Sequence, residues 1–381
     1  MRAKAGPSKL FVGLMSGTSL DGVDAALVET DGQDIACLGP SLTLAYDASL
    51  RRRLRALLDR APAIGPDDAE LRAVERALTE RHVAAVRTLL GRARVAASTV
   101  AAIGFHGQTI LHRPESRRTW QIGDATLLAR ASGIPVVHDF RSADVAAGGQ
   151  GAPLVPLFHA ALLAPMPKPL AVLNLGGVAN VTWLGKDGRN VAADCGPGNG
   201  LLDDWIAART GRAFDAEGRV ALQGRVDEGI LAQLLAHPFF ALPPPKSLDR
   251  LGFAEAIAAA GLQRLSTEDG AATLVALTAR AVAVLVARLP SPPLRWIVSG
   301  GGRRNAAVIR ALQAALQVPV EPVEAVGQDG DALEAQAFAF LAARSVAGLP
   351  LSLPGTTGVP RPMPGGRLVR PDRGSPPRPV L

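Results

Sequence analysis

The 381-residue chain has two cysteines, five lysines, one tyrosine and four tryptophans, and each scarcity removes a class of protein. Cys37 and Cys195 form neither a disulfide framework nor a metal- or redox-type spacing. The basic excess, +7 at neutral pH, rests almost wholly on arginine. Those arginines are scattered, as in Arg51-Arg52-Arg53 and Arg303-Arg304. With so few rings to stack on bases, nucleic acid is not expected as a partner. No apolar stretch approaches the roughly 20 residues that a membrane helix needs. The apolar run after Lys9 is broken by Gly13 and Ser16, which excludes a signal peptide and points to the cytoplasm. A phosphate loop of the G-x-x-x-x-G-K-[ST] kind is also missing, because no lysine follows the glycines.

What the chain does have is glycine at the tips of short apolar runs. Leu10 to Leu14 leads into Gly17-Thr18-Ser19-Leu20-Asp21-Gly22-Val23-Asp24, and Val23 to Val28 leads out. Runs this short suit buried strands. A hairpin tip rich in glycine, hydroxyls and carboxylates can offer backbone N–H groups to phosphate oxygens, although it also reads as an ordinary turn. A second hairpin, Leu170 to Leu184, repeats the pattern around Gly176, Gly177 and Asn180. Two such hairpins half a chain apart suggest a duplicated lobe. A third turn, Ser299-Gly300-Gly301-Gly302-Arg303-Arg304-Asn305, ends a strand and opens a helix over 306–316, a geometry that suits close approach by a nucleotide.

Taken in order, Ile35 to Tyr46 completes a three-stranded meander, and helices are expected over 50–58 and 67–90. In the second of these, Leu71, Val74, Leu78, Val86 and Leu89 recur near a 3.6 spacing, and His82 beside that stripe reads as a helix-boundary residue. Val100 to Phe105 is a strand delivering His106 and Thr109 to its end, where ligands are commonly met. Asp124 reads as a helix N-cap. Ile134 to Phe140 delivers Asp139, Arg141, Ser142 and Asp144. The run Gly148 to Pro153 reads as a flexible joint at the lobe boundary, followed by a helix over 157–163. Val191 to Asp194 ends at a Gly-Pro-Gly turn, which leaves Asp194 either as a reactive carboxylate or as a turn-stabilising Asx group. Asn199 reads as a cap for the next helix, and Lys246, in a Pro-rich surface loop, carries no functional claim. The apolar helix over 271–289 should be a central packing element. Glu334 lies on the face of Phe338 and Leu341, pointing a carboxylate inward, but with Asp331 it also matches a capping box. The Pro-, Gly- and Arg-rich tail from 350 to 381 is expected to be loosely draped.

Several of these segments together are similar to anhydro-N-acetylmuramic acid kinases. They are Gly13 to Asp24, His106-Gly107-Gln108-Thr109, Gln121-Ile122-Gly123, Asp139-Phe140-Arg141, Asp144 to Pro156, Asn174 to Asn180, and Asp194 to Asn199. The resemblance covers about residues 10 to 345 in the family's order. It implies an α/β fold of two ribonuclease-H-like lobes, as in sugar kinases, heat-shock chaperone ATPases and actin, with ATP in a central cleft. The first lobe would be 1–145 with the helix 332–349 returning to it, the second 146–331.

The resemblance further implies a coupled reaction in bacterial cell-wall recycling. ATP, water and 1,6-anhydro-N-acetylmuramic acid give ADP and N-acetylmuramic acid 6-phosphate. Asp194, matching the family's catalytic aspartate, would deprotonate the water. Gly17 to Asp24 would hold phosphate, with Gly176, Gly177 and Asn180 opposite and Gly300, Gly301, Gly302 and Asn305 at the nucleotide. His106, Thr109, Arg141 and Glu334 are the candidates for the sugar, and Mg²⁺ would accompany ATP, its ligands unassigned. Partners would be small molecules, with a homodimer allowed. Two departures stand out: Cys195 replaces the family's usual threonine, and Leu14 and Met15 stand before the first glycine tip where many relatives in the wider superfamily carry an acid. An actin-like or chaperone-like ATPase, or a kinase of another amino sugar, remains the alternative.

Overall fold

The computed structural model describes residues 6–17, 19–248 and 250–371. The chain forms two compact units, residues 1–164 with 332–381 and residues 165–331. The chain therefore passes from one unit to the other at 164/165. The glycine-rich run 148–153 and the following helix, Pro156–Leu162, belong to the first unit instead of opening the second.

The first unit is built on strands β1 (Lys9–Ser16), β2 (Gly22–Thr30), β3 (Ile35–Ala45), β4 (Val100–Arg113), β5 (Arg118–Ile122) and β6 (Val136–His138). Strands β1, β2 and β3 form the expected antiparallel meander, and β4 lies parallel to both β1 and β6. Strand β1 is buried from Phe11 to Ser16 on both faces, as a central strand covered by helices must be. On one face lies the helix Ala69–Ala93, capped by Asp68, with Leu71, Val74, Leu78, Val86 and Leu89 all buried. On the other lies the helix Leu333–Val346, whose alanines let it approach very closely. A Cβ on Gly13 would sit 1.7 Å from the Ala335 carbonyl oxygen, and one on Gly104 2.0 Å from that of Phe338.

The second unit repeats the plan. Strands β7 (Leu170–Leu175), β8 (Val178–Leu184) and β9 (Asn190–Pro197) form an antiparallel meander, and β10 (Trp296–Ser299) and β11 (Val320–Pro322) extend it in parallel from β7. The first sheet runs β3-β2-β1-β4-β6, with β5 paired to β4 off this path, and the second runs β9-β8-β7-β10-β11 with the same strand directions, the ribonuclease-H-like order. The helix Thr267–Val286 packs into this unit's core. It is the one described helix long and apolar enough to cross a membrane, but 72% of its apolar window is buried.

Three expectations change. Strand β4 does not stop at Phe105: Gly107 takes φ +70° and the strand runs on to Arg113, paired with β5, so His106 and Thr109 lie within it. The tail is not loosely draped over its described part. Residues 367–369 form β12, paired with β6, and Leu351, Ser352, Thr356, Thr357 and Val359 are buried. The helix after Asp331 starts at Leu333 with Ala332 as N-cap, so there is no capping box.

Candidate active site

The first glycine tip sits between Ser16 and Gly22, with Thr18 outside the described residues. Gly17 is half-buried, Ser19 and Asp21 are exposed, and the Ser19 hydroxyl donates to Asp21 over 2.8 Å. Leu20 is buried at φ +56°, a conformation bulky side chains avoid, which marks the tip as held by its surroundings. The Tyr46 N–H holds the Asp21 carbonyl at 3.0 Å. The Asp24 carboxylate accepts from the Thr43 hydroxyl, and Val23 is buried.

Beneath the tip is a polar network that sequence reasoning missed. His82 lies mid-helix, fully buried, its Nε2 2.8 Å from Ser16 Oγ and its Nδ1 2.8 Å from the Leu78 carbonyl oxygen. The Tyr46 hydroxyl lies 3.0 Å from Ser16 Oγ. Burial brings His82 down to about 4, so the ring is neutral at ordinary pH.

In the second unit, three turns are knitted together. Asn199 N–H donates to the Gly176 carbonyl (2.8 Å), Gly198 N–H to that of Gly177 (3.1 Å), and the Asn199 side-chain amide to that of Leu175 (3.0 Å). Asn199 therefore does not cap its helix; Gly198 occupies that position. Ser299 pairs with Asn174, so the Gly300 turn arises beside the Gly176 turn. At Gly300, φ is +76°, and a Cβ would meet Asn174 Oδ1 at 2.4 Å. Asn305 caps the following helix through Val308 N–H. Arg303 braces the turn from below, donating to Glu324 (2.7 Å), Asp331 (2.9 Å) and the Gly300 carbonyl (3.0 Å).

Some glycines at these tips have no internal reason to be glycine. A Cβ on Gly177 or Gly301 would meet nothing within 4 Å, one on Gly176 only the Val178 carbonyl at 3.6 Å, and one on Gly17 only Ser19, at 3.5 Å at the nearest. None of the four takes a positive φ. The space in front of them is open, as close approach of a ligand to the backbone requires.

Asp194, in β9, pairs with Asn180 of β8, beside this constellation. Its Oδ2 accepts from Leu248 N–H at 2.8 Å, and Oδ1 has no partner among the described residues. Burial pushes its carboxyl up to about 6, opposed by the Leu248 hydrogen bond and the Lys246 charge. Lys246 is not a surface residue. It is buried, its ammonium donates to the Phe239 carbonyl at 2.9 Å over the Phe239 ring, and burial holds it below the usual lysine range. Cys195 is buried among the core residues of this unit.

The candidates for the sugar lie in the first unit. His106 Nδ1 is 2.7 Å from the Gly107 carbonyl oxygen, so Nδ1 carries the proton and Nε2 accepts. Arg141 supplies that bond from Nε (3.2 Å) and Nη2 (3.0 Å), and its Nη1 donates to the Gly151 carbonyl (2.7 Å). Burial, then the Arg141 charge, holds His106 well below the ordinary histidine range. Arg141 has no carboxylate at ion-pair distance among the described residues, and burial lowers it to about 10. Glu334 does not point into the core: it is solvent-exposed, yet so surrounded by protein atoms that its carboxyl rises, against the pull of Arg141. A groove of about 290 Å³ is lined by His106, Gln121, Gly123, His138, Asp139 and Ser142. Of the four sugar candidates only His106 lines it. Thr109 instead accepts from the Gln121 side chain (3.2 Å).

Residues 9–370 match the family model described as anhydro-N-acetylmuramic acid kinase. An anhydro-N-acetylmuramic acid kinase of Acidiphilium cryptum is 61% identical over 94% of this chain and 98% of its own. That of Rhodospirillum rubrum is 57% identical over 93% and 92% respectively. Among solved structures, the ADPNP-bound activator of a 2-hydroxyisocaproyl-CoA dehydratase from Clostridium difficile aligns at a TM-score of 0.41 and 16% identity, over 89% of this chain and 97% of its own.

Proposed function

Because the chain belongs to the anhydro-N-acetylmuramic acid kinase family, we propose that its glycine tips take the phosphates of ATP and that Asp194 activates water. The enzyme opens the 1,6-anhydro ring of anhydro-N-acetylmuramic acid and phosphorylates O6, giving N-acetylmuramic acid 6-phosphate and ADP, a step of peptidoglycan recycling. The family match does not favour an actin-like or chaperone-like ATPase, or a kinase of another amino sugar. Use of ATP supports the cytoplasm as the compartment, and the partners are small molecules.

The observation that carries the site assignment is the pairing of glycines open to solvent-side approach with one elevated carboxylate on the adjoining strand. Leu248 N–H fixes Oδ2 of Asp194, leaving Oδ1 for the proton of a water. As that proton leaves, the water oxygen bonds to the anomeric carbon and the bridging ether bond breaks. The released oxygen takes the γ-phosphoryl group, which stands in for the general acid of an inverting glycosidase. A carboxylate near 6 is well matched to such a base at neutral pH. Phosphoryl transfer asks mainly for positioning and charge neutralisation. Gly17 and Ser19 to Asp24 serve the phosphates; Gly176, Gly177, Asn180 and the Gly300–Gly302 turn with Asn305 serve the nucleotide. Thr18 joins the first set by its place in the motif.

Magnesium keeps most of its water and takes one or two carboxylates beside phosphate oxygens. The described residues contain no group of three metal-binding side chains. Asp21, exposed at the glycine tip, would hold magnesium, and the ion would neutralise phosphate charge. Arg141 is the cation suited to the sugar's acid group, beside His106, with Thr109 in the same motif as His106 and Glu334 close enough for its charge to interact with Arg141. The test is turnover of the anhydro sugar in isotopically labelled water beside ordinary N-acetylmuramic acid. Label at the anomeric position of the phosphorylated product is expected; unlabelled product, or preference for the open sugar, would sink the reading.

A further inference from the structure

The tail segment reaches the sugar-side groove through an unbroken hydrogen-bonded chain. A short helix, Pro354–Thr357, turns Thr357 inward, where it is fully buried. Its hydroxyl donates to Asp144 Oδ2 over 2.6 Å, and its carbonyl accepts from Gln150 N–H at 2.7 Å. The other Asp144 oxygen accepts from Gly151 N–H at 2.6 Å. The Gly151 carbonyl then receives Arg141 Nη1 at 2.7 Å, and Arg141 holds His106 Nε2, on the groove wall. The loop has little room to rearrange: a Cβ on Gly149 would lie 2.2 Å from Asp144 Oδ1.

We propose that Thr357 is a positioning residue for the sugar, its hydroxyl fixing Asp144 and thereby Gly151, Arg141 and the groove face of His106. The proposal rests on the reading of Arg141 and His106 as sugar contacts. Its physical basis is that Asp144 is only 2% exposed, so water cannot replace a lost donor. Without the Thr357 hydroxyl, the buried carboxylate draws on the Arg141 cation, whose charge already interacts with it. The guanidinium then leaves Gly151 and His106. The coupling runs through contiguous bonded groups, and nothing in it touches the glycine tips.

The experiment is steady-state kinetics on the full chain, with sugar and ATP varied separately. Thr357→Val keeps the shape and loses the hydroxyl; Thr357→Ser restores it. Thr357→Val should raise the KM for the anhydro sugar roughly ten-fold or more, the scale of a lost hydrogen bond to a charged group. The KM for ATP should hold, and Thr357→Ser should return the sugar KM towards normal. Asp144→Asn, which keeps the side-chain shape, should give the same split should Thr357→Val fold poorly. If Arg141→Gln raises the sugar KM while Thr357→Val leaves it unchanged, the proposal falls alone. If Arg141→Gln leaves it unchanged, the sugar-site reading falls and takes the proposal with it. A rise in both KM values that Thr357→Ser does not rescue also overturns it.

Discussion

Ser16 and His82, 66 positions apart in sequence, share a hydrogen bond of 2.8 Å at the root of the first glycine tip, and its proton can be assigned. The Leu78 carbonyl can only accept, so His82 Nδ1 carries the ring proton and Nε2 presents a lone pair. Ser16 must therefore donate to His82, and the Tyr46 hydroxyl donates to Ser16. Every polar atom of the trio is used, and Ser16 is 1% exposed, which suits a fixed strut rather than a nucleophile.

From that arrangement, Ser16→Ala should cost about 1–3 kcal/mol of stability, because it strands the His82 and Tyr46 groups in a buried site. The same change loosens the tip that follows Ser16, so the KM for ATP should rise while that for the sugar holds. Denaturant melts and separate KM measurements check both. An ATP KM equal to that of the parent protein would mean the strut supports only the fold.

The buried histidines set a pH window for stability. Burial brings both His82 and His159 down to about 4, against 6.5 for an unperturbed histidine. Between those values the unfolded chain binds protons that the folded chain refuses. Their contribution is thus full above about 6.5 and is lost as pH falls towards 4, by on the order of 3 kcal/mol for each ring at the limit. Urea midpoints at pH 7.5 and 4.5 should show the drop, and His82→Gln should make it smaller. An identical pH dependence in the variant would contradict the assignment.

Legibility in the sequence followed how local each signal is. The glycine tips, the β1–β3 meander and the 306–316 helix depend on short-range chemistry, and their residues announce them. Asp194 stood out because a buried strand was expected to end there at a Gly-Pro-Gly turn, although β9 runs on to Pro197 and leaves Asp194 within the strand. His82 did not, because a lone histidine on an apolar helix face says nothing about a serine 66 residues away. Lys246 was hidden for the same reason: a Pro-rich loop reads as surface until Phe239 and Asp194 are seen beside it. The tail was misjudged on composition. Proline and glycine there shape the Pro354–Thr357 turn, and burial of Leu351, Thr357 and Val359 outweighs the polar average.

Two kinds of glycine should respond oppositely to alanine. At Gly13 a Cβ would collide with the Ala335 backbone at 1.7 Å, so Gly13→Ala should prevent proper packing of the C-terminal helix. At Gly177 a Cβ meets nothing, and Gly177→Ala should melt like the parent protein, within about 0.5 kcal/mol. Its loss should appear as weaker ATP binding, measurable by calorimetry with a non-hydrolysable analogue. Unchanged nucleotide affinity in Gly177→Ala would remove that tip from the phosphate site.

The proposed base should leave its mark on the pH profile. Asp194 can take a proton from water only when ionised, and burial sets its carboxyl near 6. Activity should therefore fall on the acid side, halving near that pH in kcat/KM for the sugar. Three groups bear on it: the Leu248 N–H and the Lys246 ammonium favour the anion, while the buried Cys195 thiol, itself pushed up by burial, stays neutral. Removing the cation with Lys246→Met should move the acid limb to higher pH, because the carboxylate loses a stabilising charge. Asp194→Asn should lower turnover by about 10²–10⁴-fold at every pH while sparing nucleotide binding. An acid limb that persists unshifted in Lys246→Met, or an active Asp194→Asn enzyme, would assign the proton transfer to another group.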